Sequence, residues 1–169
     1  MTYDLSLLEP SLAKWRASEA LRMAYGSLYR QMHSAALPGP ALEVGSGIGV
    51  IREFIPGVVT SDVAATPYVD CALSAYELPT NHGGPWATVY LLDVLHHLRR
   101  PFAFFESAAS VLDIGGRIIM MEPAATPGGR LFYRLFHHEP IVPAAINAPY
   151  DFREDKYGGE FANMAMAWC

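Results

Sequence analysis

The sequence has few cysteines, no excess of basic residues and no long apolar run. Of its 169 residues only 2 are cysteines, Cys71 and Cys169. Two thiols so far apart predict neither a disulfide framework nor a thiolate metal site, and they fit a reducing compartment. With 12 basic and 17 acidic residues, the net charge is -5. Because no basic stripe is available to neutralise phosphates, we expect no nucleic-acid partner.

A membrane or export signal is also missing. The longest largely apolar run, 86–92, is too short to cross a bilayer, and no basic segment followed by an apolar one opens the chain. We therefore expect no membrane span and a cytoplasmic location. The length, with 51% hydrophobic and 17% charged residues, is typical of one globular domain.

The apolar pattern changes along the chain from helical to strand-like. Residues 11–36 have the spacing of one or two amphipathic helices, which end at 38–40. Further helices are predicted over 101–112, which starts with a proline, and over 131–136. Short apolar runs closed by Gly or Asp occupy 41–44, 57–61, 87–92 and 117–121. This alternation predicts an α/β fold with a mostly parallel sheet.

A glycine-rich loop follows the first of these runs. Gly45, Gly47 and Gly49 stand at every second position, before a short helix predicted to begin within 50–54. Glycines here permit a tight strand-to-helix turn and leave room for a ligand close to the backbone. Asp62 closes the next strand nineteen residues beyond Glu43, where a carboxylate can accept hydrogen bonds from ribose hydroxyls.

The glycine spacing separates two classes of cofactor. In the dinucleotide fingerprint the third glycine comes three positions after the second, whereas Gly49 follows Gly47 by two. This spacing, and the absence of a Tyr-x-x-x-Lys pair, disfavour a nicotinamide-dependent oxidoreductase. Glu43 is better placed for a cation than for a phosphate, and S-adenosylmethionine carries an ammonium and a sulfonium. A plain turn with a solvated Glu43 is the remaining alternative.

These residues resemble class I S-adenosylmethionine-dependent methyltransferases, of the type 11 kind, over about residues 40 to 123. The similar stretches are 42–49, 59–62, 91–98 and 111–123. The resemblance implies a doubly wound, Rossmann-like fold with S-adenosyl-L-methionine as cofactor. It further implies the following positions: Gly45, Ser46, Gly47 and Gly49 in the cofactor loop, Glu43 at the methionine ammonium, Asp62 at the ribose hydroxyls, and Asp93 near the methionine end.

The chain departs from the family pattern at two places. Where the family often has an acid at the adenine amino group, this chain has Ser74, so we expect adenine to be held by Ser74 or by backbone. After Pro123 the remaining 46 residues contain no pair of strands, although 161–168 has a helical pattern. We therefore expect the sheet to lack its two C-terminal strands. The fifth strand is then an apolar edge that a second copy of the chain can cover.

Three segments follow from this interpretation. Residues 1–38 form a helical lid, 39–123 the S-adenosylmethionine-binding core, and 124–169 a substrate-side tail that looks truncated.

Two adjacent histidines are the candidates for catalysis. Methyl transfer is an in-line displacement that needs alignment and the exclusion of water, and a hydroxyl acceptor must also lose a proton. His96 and His97 follow the fourth strand at the ligand-binding edge of such sheets, and His97 is preferred as the base. The alternative is that they shape the loop. Glu122, at the end of the fifth strand, is predicted to contact the substrate or to be structural.

A second polar cluster consists of His137, His138 and Glu139. Because its spacing does not match that of metal ligands, we expect no metal site. The passage 136–140 is similar to methyltransferases encoded with surface-polysaccharide or lipid biosynthesis. The sequence thus predicts a methyltransferase for a small molecule, with a hydroxyl acceptor such as a sugar or lipid-linked intermediate. The alternative is an inactive cofactor-binding partner subunit or a truncated fragment.

Overall fold

The computed structural model describes residues 5–78, 84–124, 126–136, 141–146, 149–152, 162–163 and 165. The helices are α1 (Leu8–Ala17), α2 (Glu19–Ser34), α3 (Pro101–Val111) and α4 (Pro127–Phe136). The strands are β1 (Ala41–Val44), β2 (Val59–Asp62), β3 (Cys71–Ala72), β4 (Trp86–Leu92) and β5 (Leu112–Met121). Short 3-10 turns cover Leu5–Leu7, Val50–Glu53, Leu95–His97 and Pro143–Ala145.

The five strands form one parallel sheet in the order β3-β2-β1-β4-β5. The prediction of a Rossmann-like α/β fold is therefore confirmed. The chain order reverses between β1 and β4, and in open parallel sheets ligands bind at the carboxyl ends of the strands beside such a reversal. The glycine loop follows β1 and the histidines follow β4, so the topology brings them to this point.

Each face of the sheet is covered by helix. On one face Phe104, Ala108 and Val111 of α3 pack against Leu42 and Val89. On the other face, Tyr29 and Met32 of α2 pack with Ile51, Ile55 and Tyr90. Because both faces are covered, all seven residues of β4 are buried, which explains its largely apolar sequence.

The start of β5 corrects the sequence prediction. Strand structure was expected from residue 117 but begins at Leu112, directly after α3. Trp86 pairs with Leu112 and Thr88 with Arg117, so an irregularity in β5 takes up the extra residues between them. Gly115, at φ +80°, lies in this irregular stretch. A bulge of this kind has no hydrophobic signature, because its residues leave the regular alternation of the strand.

β5 is also an edge strand of the described sheet. Ile114 is fully exposed and Met120 is partly exposed. No strand follows Met121 among the residues that the structure describes. Coverage of this edge by a second copy of the chain stays a prediction, as does the lid, core and tail division. The helix predicted over 161–168 falls largely outside the described residues.

A short turn takes the place of the helix predicted after the glycine loop. Val50–Glu53 forms one 3-10 turn. Pro56 disfavours helical backbone at the residue before it, and Gly57 turns the chain with φ +78°. The chain then enters β2 at Val59. Within the described parts of the chain, no helix is long and apolar enough to cross a membrane.

Candidate cofactor and acceptor site

The glycine loop packs closely on its neighbours at two of its three glycines. A Cβ on Gly45 would lie 2.6 Å from Cγ2 of Val94, and one on Gly49 would lie 2.3 Å from the carbonyl oxygen of Tyr68. Both glycines have positive φ angles, +76° and +68°. At Gly47, by contrast, a Cβ would meet no atom within 4 Å. The loop therefore packs against Val94 and Tyr68 at its first and third glycines, and it has open space at its middle glycine.

Asp62 closes the loop from the side. Its Oδ2 accepts a hydrogen bond of 2.8 Å from the Gly47 amide, and Oδ1 accepts one of 2.7 Å from the Val63 amide. The side chain is buried. An ionised carboxylate has lone pairs beyond those two bonds, so it can still accept from hydroxyl groups beside Gly47.

Glu43 is buried in β1 with one of its oxygens unsatisfied. It is 1% exposed, Oε1 accepts a 2.9 Å hydrogen bond from the Tyr29 hydroxyl, and Oε2 has no partner among the residues that the structure describes. Desolvation by burial raises the pKa of Glu43 from 4.5 to about 7. A buried carboxylate oxygen without a partner is costly, and an ammonium group is the kind of ligand that satisfies it. The Glu43 carboxylate thus fits the methionine end of the predicted cofactor, whose ammonium group would donate to it.

Burial of Glu43 predicts a pH-dependent stability. Because its folded pKa of about 7 lies above 4.5, the folded chain holds more protons between these values, and the free energy of unfolding falls as pH rises. The loss is complete above about pH 7 and is on the order of 3 kcal/mol. We expect Glu43→Gln to remove this loss. The melting temperature of the variant should therefore rise relative to that of the wild type between pH 5 and pH 8.

Thermal melts of the cofactor-free protein at these two pH values measure the effect. Glu106→Gln, at an exposed position of α3, is the matched control and should follow the wild type. An equal difference between Glu43→Gln and the wild type at both pH values would contradict the assignment.

A cleft of about 400 Å³ opens over the glycine loop. The first helices form one wall, and the loop and the end of β4 form the other. Its lining residues are Leu7, Leu8, Ser11, Lys14, Trp15, Leu21, Tyr25, Tyr29, Gly45, Ser46, Gly47, Ile48, Val50, Leu92 and Asp93. Most of them are apolar or aromatic, with few polar groups, as is usual for a small-molecule site. The N-terminal segment predicted as a lid thus contributes about half of the lining.

Several of the predicted residues meet at this cleft. Gly45, Ser46, Gly47 and Asp93 line it directly. Ser46 is fixed there by its amide, which donates to the Ser61 carbonyl at 2.8 Å. Glu43 is not among the lining residues, but it accepts a hydrogen bond from Tyr29, which is one of them. The pairing of Tyr29 with Glu43 had no signal in the sequence, because the two residues are joined only by the packing of α2 on β1.

Ser74 lies after β3 and is not among the residues that line the cleft. Its Oγ accepts from the Tyr76 amide at 3.3 Å and its carbonyl accepts from the Glu77 amide at 3.0 Å. These bonds make a turn at the carboxyl end of β3. An adenine contact by Ser74 stays a prediction.

The two histidines have different surroundings. His96 is 3% exposed and its Nδ1 lies 2.5 Å from Oε2 of Glu122. His97 is half-buried, with its ring centroid 4.1 Å from that of His96. Neither is among the lining residues of the described cleft. The adjacency of two histidines could not predict which one turns inward.

The described residues contain no group of three or more His, Cys, Asp or Glu side chains placed to hold a metal ion. The second polar cluster, His137, His138 and Glu139, lies outside the described residues.

Comparisons with known proteins agree on the fold. No family model and no curated protein matches the sequence. Among solved structures, the DhpI-SAM-HEP complex is similar with a TM-score of 0.53 and 18% identity, over 84% of this chain and 76% of that one. The sugar N-methyltransferase KedS8 from Streptoalloteichus sp ATCC 53650 is matched with a TM-score of 0.43 and 16% identity, over 61% of this chain and 47% of that one. This chain thus spans about half the length of KedS8. The likeness to the DhpI-SAM-HEP complex shows a shared Rossmann-like fold, which is the fold that the resemblance predicted.

Proposed function

We propose that this chain binds S-adenosylmethionine and transfers its methyl group to a small molecule. The observation that carries the proposal is the open space at Gly47, bordered by the Asp62 carboxylate, together with the unpartnered Oε2 of Glu43 in the strand that leads into the loop. These groups match ribose hydroxyls and an ammonium, and none of them suits a phosphate. The fold shared with a structure named as a complex with SAM supports the same cofactor.

The roles of the residues follow from their places. Asp62 would hold the ribose hydroxyls, and Glu43 would accept from the methionine ammonium with Tyr29 on its other oxygen. Asp93, at the end of β4, would lie beside the methionine end. Gly45, Ser46, Gly47 and Gly49 form the loop over which the cofactor lies, and Ser74 or nearby backbone would meet the adenine. The bound cofactor supplies an electrophilic methyl group on a sulfonium.

For the acceptor we propose a hydroxyl group, with a sugar or a lipid-linked intermediate as the first class to test. The cleft is lined mainly by apolar and aromatic side chains, which exclude water from the reacting atoms. A hydroxyl must lose its proton as the new carbon–oxygen bond forms. We infer that His97 takes this proton, because it is half-buried, whereas His96 is 3% exposed and bonded to Glu122.

The role of His97 gives a kinetic prediction. His97→Gln should lower kcat for a hydroxyl acceptor by about a hundredfold or more, the range usual for loss of a general base, while leaving cofactor affinity unchanged. His33→Gln, which changes an exposed histidine of α2, is the matched control and should retain activity. Equal kcat values for His97→Gln and wild type would contradict the assignment.

The assay follows transfer of a labelled methyl group from S-adenosylmethionine to a panel of acceptors. The panel pairs simple sugars, sugar nucleotides and prenyl-linked sugars with their amino-sugar counterparts. Transfer to hydroxyl members supports the proposal. Transfer to amines alone would overturn the hydroxyl assignment. Tight cofactor binding with no transfer to any member would favour an inactive partner subunit.

A further inference from the structure

The carboxylate of Glu122 is hydrogen-bonded at both of its oxygens. It stands just after β5, and its side chain is 7% exposed. Oε1 accepts from the amides of Val94 and Leu95 at 2.8 and 2.6 Å, and Oε2 is bonded to His96. Three groups of the turn after β4 thus bond to the side chain of Glu122, which follows the neighbouring strand β5.

The turn that Glu122 holds is an unusual one. Asp93 has φ +57°, a left-handed conformation that is uncommon for a residue other than glycine. A 3-10 turn, Leu95–His97, follows at once, and Val94 is its N-cap without a side-chain cap of its own. The free amides at the start of such a turn need an acceptor, and Glu122 provides it. Such strained backbone persists only where the surroundings hold it in place.

The same turn touches the glycine loop. A Cβ on Gly45 would lie 2.6 Å from Cγ2 of Val94, so the Val94 side chain packs directly against Gly45. Asp93, next to Val94, lines the cleft together with Gly45. Val94 therefore supports the glycine loop at Gly45. Its position also sets the direction of the neighbouring Asp93 side chain.

We propose that Glu122 is a positioning residue that fixes the Asp93–His97 turn against the glycine loop. It touches neither cofactor nor acceptor and acts through the turn. Its effect on the cofactor rests on the proposed function, whereas its effect on the geometry of the turn does not. His96 then serves to complete the bonds of Glu122.

The proposal requires the length of the side chain more than its charge. Glutamine keeps the length: its Oε1 can accept from both amides, and its amide group can donate to a neutral His96 Nδ1. Aspartate keeps the charge but is one methylene shorter, so it cannot reach the amides from the same backbone position. A role through charge predicts the opposite order.

The test compares Glu122→Gln and Glu122→Asp, with Glu106→Gln and Glu106→Asp as matched controls at an exposed site. Amide chemical shifts of Gly45 and Asp93 are recorded without cofactor, and affinity for S-adenosylhomocysteine is measured by calorimetry. We expect Glu122→Gln to keep the shifts and to bind within about threefold of wild type. Glu122→Asp should move both shifts and weaken binding about tenfold or more, since it loses bonds to a charged acceptor.

Wild-type behaviour of Glu122→Asp, or a Gln variant as impaired as the Asp variant, would overturn the proposal. Val94→Ala gives a second test if the Asp variant does not fold, because it removes the contact with Gly45 and keeps the bonds of Glu122. Its Gly45 shift should move, and an unchanged shift would also overturn the proposal. Failure of the proposed function is seen separately, as no binding by the wild type while the shifts still respond to Glu122→Asp.

Discussion

Replacement of Asp62 with alanine is expected to lower the affinity for S-adenosylmethionine by at least about a hundredfold. Hydrogen bonds to a charged acceptor contribute about 1.5 to 3 kcal/mol each, and two ribose hydroxyls would lose theirs. The change also frees the Gly47 amide, which donates to Asp62 at 2.8 Å, so the loop loses its lateral support. Calorimetric titration with S-adenosylmethionine and S-adenosylhomocysteine measures the loss.

Asp113→Ala is the matched control, because Asp113 is an exposed acid in β5, far along the chain from the loop. It should bind as the wild type does. Asp62→Asn should be intermediate, since its carbonyl oxygen can still accept from Gly47. An Asp62→Ala variant that melts like the wild type and binds with unchanged affinity would show that the cofactor lies elsewhere.

Among the glycine substitutions proposed here, replacement of Gly49 with alanine is expected to cause the largest loss of thermal stability. The new Cβ would lie 2.3 Å from the Tyr68 carbonyl oxygen, a backbone atom that cannot rotate away, and φ is +68°. The left-handed conformation costs an alanine about 1 kcal/mol, and overpacking adds about 1 to 3 kcal/mol. For a chain of this size a total of about 3 kcal/mol lowers the melting temperature by about 6 to 12 °C.

Gly57→Ala separates the two contributions. Gly57 has a similar φ of +78°, but its Cβ would meet no atom within 4 Å. This control should lose only about 1 kcal/mol, or about 2 to 4 °C, because conformation alone is penalised. Equal losses in the two variants would show that the loop at Gly49 moves away from Tyr68 freely, contrary to the packing described above.

The local features of the fold could be predicted from the sequence because each has its own chemical signature. β1 has the bounds that the apolar run 41–44 indicated, and α3 begins at Pro101 as its N-terminal proline predicted. The glycine loop could be located because a tight strand-to-helix turn of this kind needs residues without a side chain. Asp62 could be placed beside it because parallel strands end at one edge of the sheet, and its carboxylate accepts from Gly47.

Contacts between distant segments could not be predicted. Glu122 was recognised as a strand-end acid, but its three bonds depend on the register between β4 and β5 and on the conformation of Asp93. Tyr29 falls within the amphipathic pattern of residues 11–36, and only the packing of α2 places its hydroxyl on Glu43. The start of β5 was missed because its irregular stretch interrupts the strand alternation.

The most direct test of the central claim is calorimetric titration of the wild-type chain with S-adenosylmethionine, with NADH as the comparison. The account predicts saturable one-to-one binding of S-adenosylmethionine and no binding of NADH, because Glu43 and Asp62 suit an ammonium and a ribose while the glycine spacing differs from the dinucleotide fingerprint. Binding of NADH without binding of S-adenosylmethionine would contradict it.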